Sequence, residues 1–233
     1  MAACRPIPIT ATTMPEGRPE PTLLRLLTWM SPAFPVGAFA YSHGLERAIH
    51  DGLVKDRATL ADWLQNLLQH GSAWNDAVLL AESWRETADG GQGETGQLAE
   101  AMAGSRERHM ETTLQGEAFL AAVTAWPGSD HVASEAPYPV AVGRTARMHG
   151  ISLEAALSAY LHGFTSSLIQ AAMRLVPLGQ SDGVATIAAL EETILDVAQR
   201  ADRSTLDDLG SATMMADIMA MKHETQYSRL FRS

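Results

Sequence analysis

Apolar residues recur along this chain at helical spacing, and nowhere with the sustained alternation that a strand requires, which restricts the fold to packed helices. Leu60, Trp63, Leu64, Leu67 and Leu68 stand at offsets 0, 3, 4, 7 and 8, a stripe along one helix face. Leu190, Ile194, Val197 and Ala201 repeat the pattern at 0, 4, 7 and 11. Between these segments, Leu153, Leu157, Tyr160, Leu161, Phe164 and Leu168 form a wide apolar face. Small residues interleave it (Ala155, Ala156, Ala159, Gly163, Ser166, Ser167, Ala171), as expected of a central helix that neighbours approach closely. Ser152 is the expected cap at its start, and Pro177 and Gly179 end it.

Proline and glycine set the remaining boundaries. Residues 1–21 are proline-rich (Pro6, Pro8, Pro15, Pro19) and aperiodic, and read as a flexible tail. A short apolar helix is expected near Thr22, through Leu23, Leu24, Leu26 and Leu27, stopped by Pro32 and Pro35. A second is expected from Ala38 to His50, ending at Gly52. Gly71 interrupts the helix carrying the first stripe, and Asn75 is expected to cap a continuation through Trp84. Residues 88–96 read as a loop, followed by one long charged helix over Gln97–Trp126, which Pro127-Gly128 breaks. A helix around Val140–Met148, a cap at Ser181 or Asp182, and a last helix from Ser211 to about Lys222 complete the expectation. The predicted fold is all-α: a single compact, bundle-like domain of about eight to ten helices over residues 22–233, behind the tail.

Composition narrows the function classes. With 46% hydrophobic and 19% charged residues among 233, the chain can bury a real core. Its formal charge of −10 repels phosphate backbones, so nucleic acid is not an expected partner. The single cysteine, Cys4, can form neither an internal disulfide nor a thiolate cluster, which fits a reducing compartment. The N-terminal prolines stand where a secretion signal needs a continuous apolar stretch. The most apolar run, Ile151 to Leu178, is interrupted by Glu154, His162, Gln170 and Arg174, which argues against a membrane span. A cytoplasmic protein is expected.

The search for chemistry assigns no catalytic, cofactor-binding or metal-ligating residue. Gly91-Gln92-Gly93-Glu94-Thr95-Gly96 matches the dinucleotide fingerprint in letters but lacks the preceding strand, so it reads as a loop. His43, Glu46 and His50, at offsets 0, 3 and 7, would put two imidazoles and a carboxylate on one helix face. Gly44 weakens that helix, and a closed metal site needs further ligands. Met214, Met215, Met219 and Met221 read as packing rather than soft-metal ligation. Cys4 lacks a supporting shell, and Asp207-Asp208 and Glu191-Glu192 read as solvated or capping pairs. Neither GxxxxGK nor GxSxG occurs. Binding is favoured over catalysis.

The last twelve residues, Lys222 to Ser233, carry three basic side chains and one acidic one among Tyr227, Leu230 and Phe231. Arginine with tyrosine and phenylalanine is the composition of an interface anchor. It equally suits a tail folded back on its own core. Both readings stand on composition alone.

Those residues, Met221 to Ser233, resemble the C-terminus of the UreF family of urease accessory proteins. Ser31-Pro32-Ala33-Phe34-Pro35-Val36-Gly37-Ala38-Phe39-Ala40-Tyr41-Ser42-His43-Gly44-Leu45-Glu46 resembles that family's N-terminal signature. Arg174-Leu175-Val176-Pro177-Leu178-Gly179-Gln180-Ser181-Asp182-Gly183 is similar to a third block, and Pro139-Val140-Ala141-Val142-Gly143 to a fourth, with departures at Tyr138 and Val142. The resemblance spans roughly Leu23 to Ser233. It implies an all-α adaptor that tends to form a homodimer. Such an adaptor bridges UreD (UreH) and the GTPase UreG, upstream of nickel delivery to apo-urease. It implies no catalytic residue, cofactor or stable metal site in the chain itself. It makes 222–233 a docking segment facing UreD. Lys222, His223, Glu224, Tyr227, Ser228, Arg229, Leu230, Phe231 and Arg232, with Tyr41 and Glu46 of the first block, are the expected partner-binding residues. The alternatives are a direct GTPase-activating regulator of UreG and a small metalloenzyme built on His43, Glu46 and His50.

Overall fold

The structure, a computed structural model, describes residues 21–88, 94–129 and 135–233. Regular structure among the described residues consists of ten α-helices and two short 3-10 turns. The helices are α1 (Pro21–Trp29), α2 (Leu45–His50), α3 (Arg57–His70), α4 (Ser72–Ala88) and α5 (Thr95–Ala101). They continue with α6 (Arg106–Val123), α7 (Tyr138–Met148), α8 (Leu153–Leu175), α9 (Gln180–Ala201) and α10 (Met214–His223). The fold is all-α, as the periodicity predicts. Cys4 and Gly91–Gly93 of the fingerprint lie outside the described residues, and Gly96 lies within α5.

Each predicted stripe becomes core. Leu60, Leu64, Leu67 and Leu68 of α3 are buried, as are Leu190, Ile194, Val197 and Ala201 of α9. The long helix α8 runs through the middle, packing along α9 and crossing α4, α3 and α2. Ser152 caps α8 by accepting from the Ala155 amide at 3.3 Å. Helix α7 lies along α4, and Gly143 permits the approach: a Cβ there would stand 2.4 Å from the Leu80 carbonyl oxygen. Trp29 of α1 fastens the N-terminal end, meeting Phe119 and Trp126 edge-on, each at 5.8 Å between ring centroids.

Several boundaries differ from the sequence expectation, each for a local reason. The helix expected over Ala38–His50 is a 3-10 turn at Ala38–Ala40 followed by α2. His43 and Gly44 between them adopt φ of 52° and 75°, outside the helical region. The long helix expected over Gln97–Trp126 divides into α5 and α6, because the Ser105 hydroxyl accepts from the Arg108 amide at 3.1 Å and starts a new helix. Asn75 does not cap α4, which begins at Ser72; its side-chain Oδ1 accepts instead from the Gly210 amide at 2.9 Å. Helix α9 begins at Gln180, one residue before the expected cap, and Asp182 reaches back to accept from the Gly179 amide at 3.0 Å. Among the described residues, no helix is long and apolar enough to cross a membrane.

Gly44 is the position where backbone freedom matters most. Its φ is positive, and an added Cβ would stand 2.6 Å from the Ala220 nitrogen on α10. Gly44→Ala combines left-handed strain with a clash against main chain that cannot yield as a side chain can. It is expected to destabilise the protein by at least about 2 kcal/mol. A lowered urea midpoint, with unchanged denaturant slope, is the measurement that checks it.

Candidate functional site

After α10 the chain does not hang free. Residues 224–233 form an irregular strap that returns across α2 and α6, held by groups far away in sequence. The Glu46 carboxylate, 7% exposed, accepts from the Leu230 amide at 2.7 Å and the Phe231 amide at 2.9 Å. His223, fully buried at the end of α10, places Nε2 3.2 Å from Glu46 and Nδ1 2.8 Å from Glu107. Arg229 pairs with the other oxygen of Glu107. The Glu224 carboxylate accepts from the Arg106 amide at 2.9 Å, where the first turn of α6 offers unpaired N–H groups. The buried Phe231 ring lies beneath the Arg174 guanidinium at 4.8 Å, a cation–π contact to the end of α8. Two main-chain bonds finish the strap: Arg232 donates to the Ala40 oxygen at 2.7 Å, and Ser42 donates to the Ser233 oxygen at 2.8 Å. Four stretches that the sequence keeps apart thus meet here: Ala40–Glu46, Arg106–Glu107, Arg174, and His223–Ser233.

A second polar layer lies beneath. The Ser233 hydroxyl donates to Glu111 at 3.2 Å, and Glu111 also receives His43 Nε2 at 2.8 Å, Gln115 at 3.0 Å and Arg108 at 3.1 Å. Arg108 reaches both oxygens of Asp76 at 3.2 Å, and the Tyr160 hydroxyl donates to Asp76 at 2.9 Å. Burial pushes the Glu111 carboxyl up, but His43 and Arg108 outweigh it and hold its pKa at about 2. Burial first, then the Asp76 charge, raise the Tyr138 and Tyr160 phenols well above their ordinary value, so both stay protonated. Burial followed by the Glu111 charge also raises Tyr41, against an opposing hydrogen bond from Arg232.

The expected partner-binding residues therefore divide into two sets. Lys222, Tyr227, Ser228, Arg229, Leu230 and Arg232 are exposed, Tyr227 fully so. His223, Phe231, Tyr41 and Glu46 are buried, and half-buried Glu224 is engaged with α6. Sequence reasoning did not single out Asp76, Glu107, Arg108 or Glu111. The only local sign of the last three is a run of charges, Arg106 to Glu111, at the start of a helix that otherwise becomes core.

His43, Glu46 and His50 do not share a face: His43 turns to Glu111, Glu46 to the strap, and His50 to Asp51 at 3.2 Å on the surface. Among the described residues, no group of three His, Cys, Asp or Glu side chains could hold a metal ion. Met219 packs in the core, while Met214, Met215 and Met221 are exposed. A Ser–His contact does occur, between Ser129 Oγ and His149 Nε2 at 2.9 Å. Arg25 donates to His149 Nδ1 at 3.0 Å, and burial and the Arg25 charge both depress the imidazole pKa. The neutral ring therefore carries its proton on Nε2 and donates to Ser129, the reverse of what a general base must do.

The depressed pKa of Glu111 carries a stability consequence. The folded-state value lies below the ordinary 4.5, so the contribution is complete above about pH 4.5 and is lost as pH falls toward 2. About 3 kcal/mol of stability is expected to disappear across that window. Urea unfolding from pH 5 to pH 2 checks this, and Glu111→Gln is expected to flatten that part of the profile.

A family model described as UreF matches residues 54–191. The urease accessory protein UreF 1 of Brucella anthropi is 58% identical over 214 residues, covering 91% of this chain and 94% of the relative. Urease accessory protein UreF of Brucella ovis is 57% identical over 228 residues, 97% of this chain and all of the relative. That of Mesorhizobium japonicum is 58% identical over 214 residues, 91% of this chain and 96% of its own length. The chain spans nearly the whole of each. With an all-α fold and a clasped C-terminal strap, this chain belongs to the UreF family of urease accessory proteins.

Proposed function

We propose that this chain is a non-catalytic adaptor in urease maturation, working in the cytoplasm as a homodimer. It joins UreD (UreH) to the GTPase UreG, so that nickel reaches apo-urease. The observation that carries the reading is the strap itself. Its backbone is fastened by Glu46, Ala40 and Ser42, while among the described residues Tyr227 is left fully exposed and Leu230 53% exposed. A segment already ordered before it meets a partner loses less conformational entropy on binding. The outward residues Lys222, Tyr227, Ser228, Arg229, Leu230 and Arg232 would meet UreD. His223, Glu224, Phe231, Tyr41 and Glu46 would support them from behind. The relatives are named urease accessory proteins, which supports a role in urease maturation.

Coupling to GTP hydrolysis requires only that the assembled surface bind one nucleotide state of UreG better than the other. Nickel is cargo in this scheme, and the adaptor contributes position rather than ligands.

The test uses exposed residues whose loss leaves the clasp intact. Tyr227→Ala combined with Leu230→Ser, and separately Tyr227→Glu, are expected to melt as the unsubstituted protein does. Each is expected to weaken co-purification with UreD roughly tenfold or more. Arg229→Glu is a poorer probe, because it sets a carboxylate beside Glu107. Retention of UreD by all of these variants at the original level would overturn the assignment of the strap.

A further inference from the structure

Two side chains of α1 converge on one imidazole that takes no part in the strap. Arg25 donates to His149 Nδ1 at 3.0 Å and to the His149 carbonyl oxygen at 3.4 Å. Trp29 meets the same ring edge-on, 5.2 Å between centroids. His149 is 8% exposed at the end of α7, and its Nε2 is committed to Ser129. The arrangement uses the neutral ring, because Nδ1 must keep its lone pair to accept from Arg25. A proton placed there removes the acceptor and sets a second cation against the guanidinium. Arg25 is the charged group acting on the ring among the described residues. From α7 itself, Arg147 is stacked on Trp84 at 4.5 Å, and the stretch after α6 faces the ring with the neutral hydroxyl of Ser129.

What this contact holds in place is one wall of a cavity. Trp29 and Met30 line a cavity of about 60 Å³ together with Asp76, Arg108 and Glu111 of the buried polar layer. Helix α1 has nine residues, of which Leu26 and Trp29 are buried while Leu23, Leu24 and Leu27 are exposed. A helix so short does not persist once undocked. We propose that α1 is a lid on this cavity, latched by the neutral ring of His149 and released when that ring takes up a proton. Burial, then the Arg25 charge, hold the His149 pKa below its ordinary 6.5 while α1 is docked. The docked state is therefore fully stabilised above about pH 6.5 and loses that stability as pH falls below it, because the released ring binds the proton more readily. This window lies above the one in which Glu111 titrates, so the two acid effects are separable. The inference does not rest on the adaptor reading, since it concerns other residues and its test uses no urease protein.

Amide hydrogen exchange of the full chain, corrected for the intrinsic rate at each pH, is the test, with the amides of α8 as reference. Between about pH 7.5 and about pH 5.5, protection of the Leu26 to Met30 amides is expected to fall roughly tenfold while that of α8 holds. His149→Gln can still offer an oxygen to Arg25 and an N–H to Ser129, and it carries no charge at either pH. In that variant the α1 amides are expected to keep the same protection throughout. The His149 ring resonances of the unsubstituted protein supply a readout that needs no variant, and they are expected to titrate together with the loss of α1 protection. Equal α1 protection at the two pH values would overturn the inference. A fall that persists in His149→Gln would overturn it as well, by placing the titrating group elsewhere. So would a parallel fall in α8, which makes the event global unfolding, or a ring titration at a pH where α1 stays protected.

Discussion

One buried carboxylate governs the C-terminal corner of this molecule. Glu46 sits almost out of solvent, and a carboxylate there is tolerable only if donors surround it. The donors arrive from the other end of the chain: two successive strap amides and the ring of His223. The dependence is mutual. Without the strap, Glu46 is a charge stranded in a protein interior, and without Glu46 two strap amides lose their acceptor. Breaking such a buried pair from one side costs about 3–5 kcal/mol. The strap is therefore part of the fold, and its outward side chains are held in place by inward ones.

The other contacts widen that clasp. Glu107 gathers His223 and Arg229, Arg174 covers Phe231, and Ser233 reaches the Glu111–Arg108–Asp76 layer. Helices α2, α6, α8 and α10 are thereby tied at one corner by charge-assisted bonds, while leucine and aromatic packing holds the rest. Left-handed residues at His43 and Gly44 make the corner possible, turning α2 so that Glu46 faces α10 and bringing the two backbones into contact. For a protein proposed to act by holding others, this division is useful: the apolar core sets the frame, and the ionic corner fixes the contact surface.

The helices were legible because burial leaves a periodic trace. Leu60 through Leu68 and Leu190 through Ala201 declare their inward faces without any tertiary information. The corner leaves no such trace. Glu46 and Leu230 are 184 residues apart, and His223 and Glu107 are 116 apart, so neither pairing has a local signal. Tyr227 and Phe231 look alike as aromatic residues among charges, yet one is fully exposed and the other buried; only the three-dimensional position of Arg174 and Glu46 separates them. The helix breaks at His43 and at Ser105 were missed for a related reason. In each, a single residue's backbone or cap overrides a favourable local pattern. Family resemblance located the blocks that meet, but the roles within them came from burial.

Hydrogen exchange at the Leu230 and Phe231 amides tests the central claim most directly, with the amides of α8 as an internal reference. If Glu46 clasps the strap, both amides exchange slowly in the intact protein. In Glu46→Ala they then lose protection while those of α8 keep theirs. Exchange at the rate of an unstructured peptide in the intact protein, or protection that survives Glu46→Ala, would contradict the account.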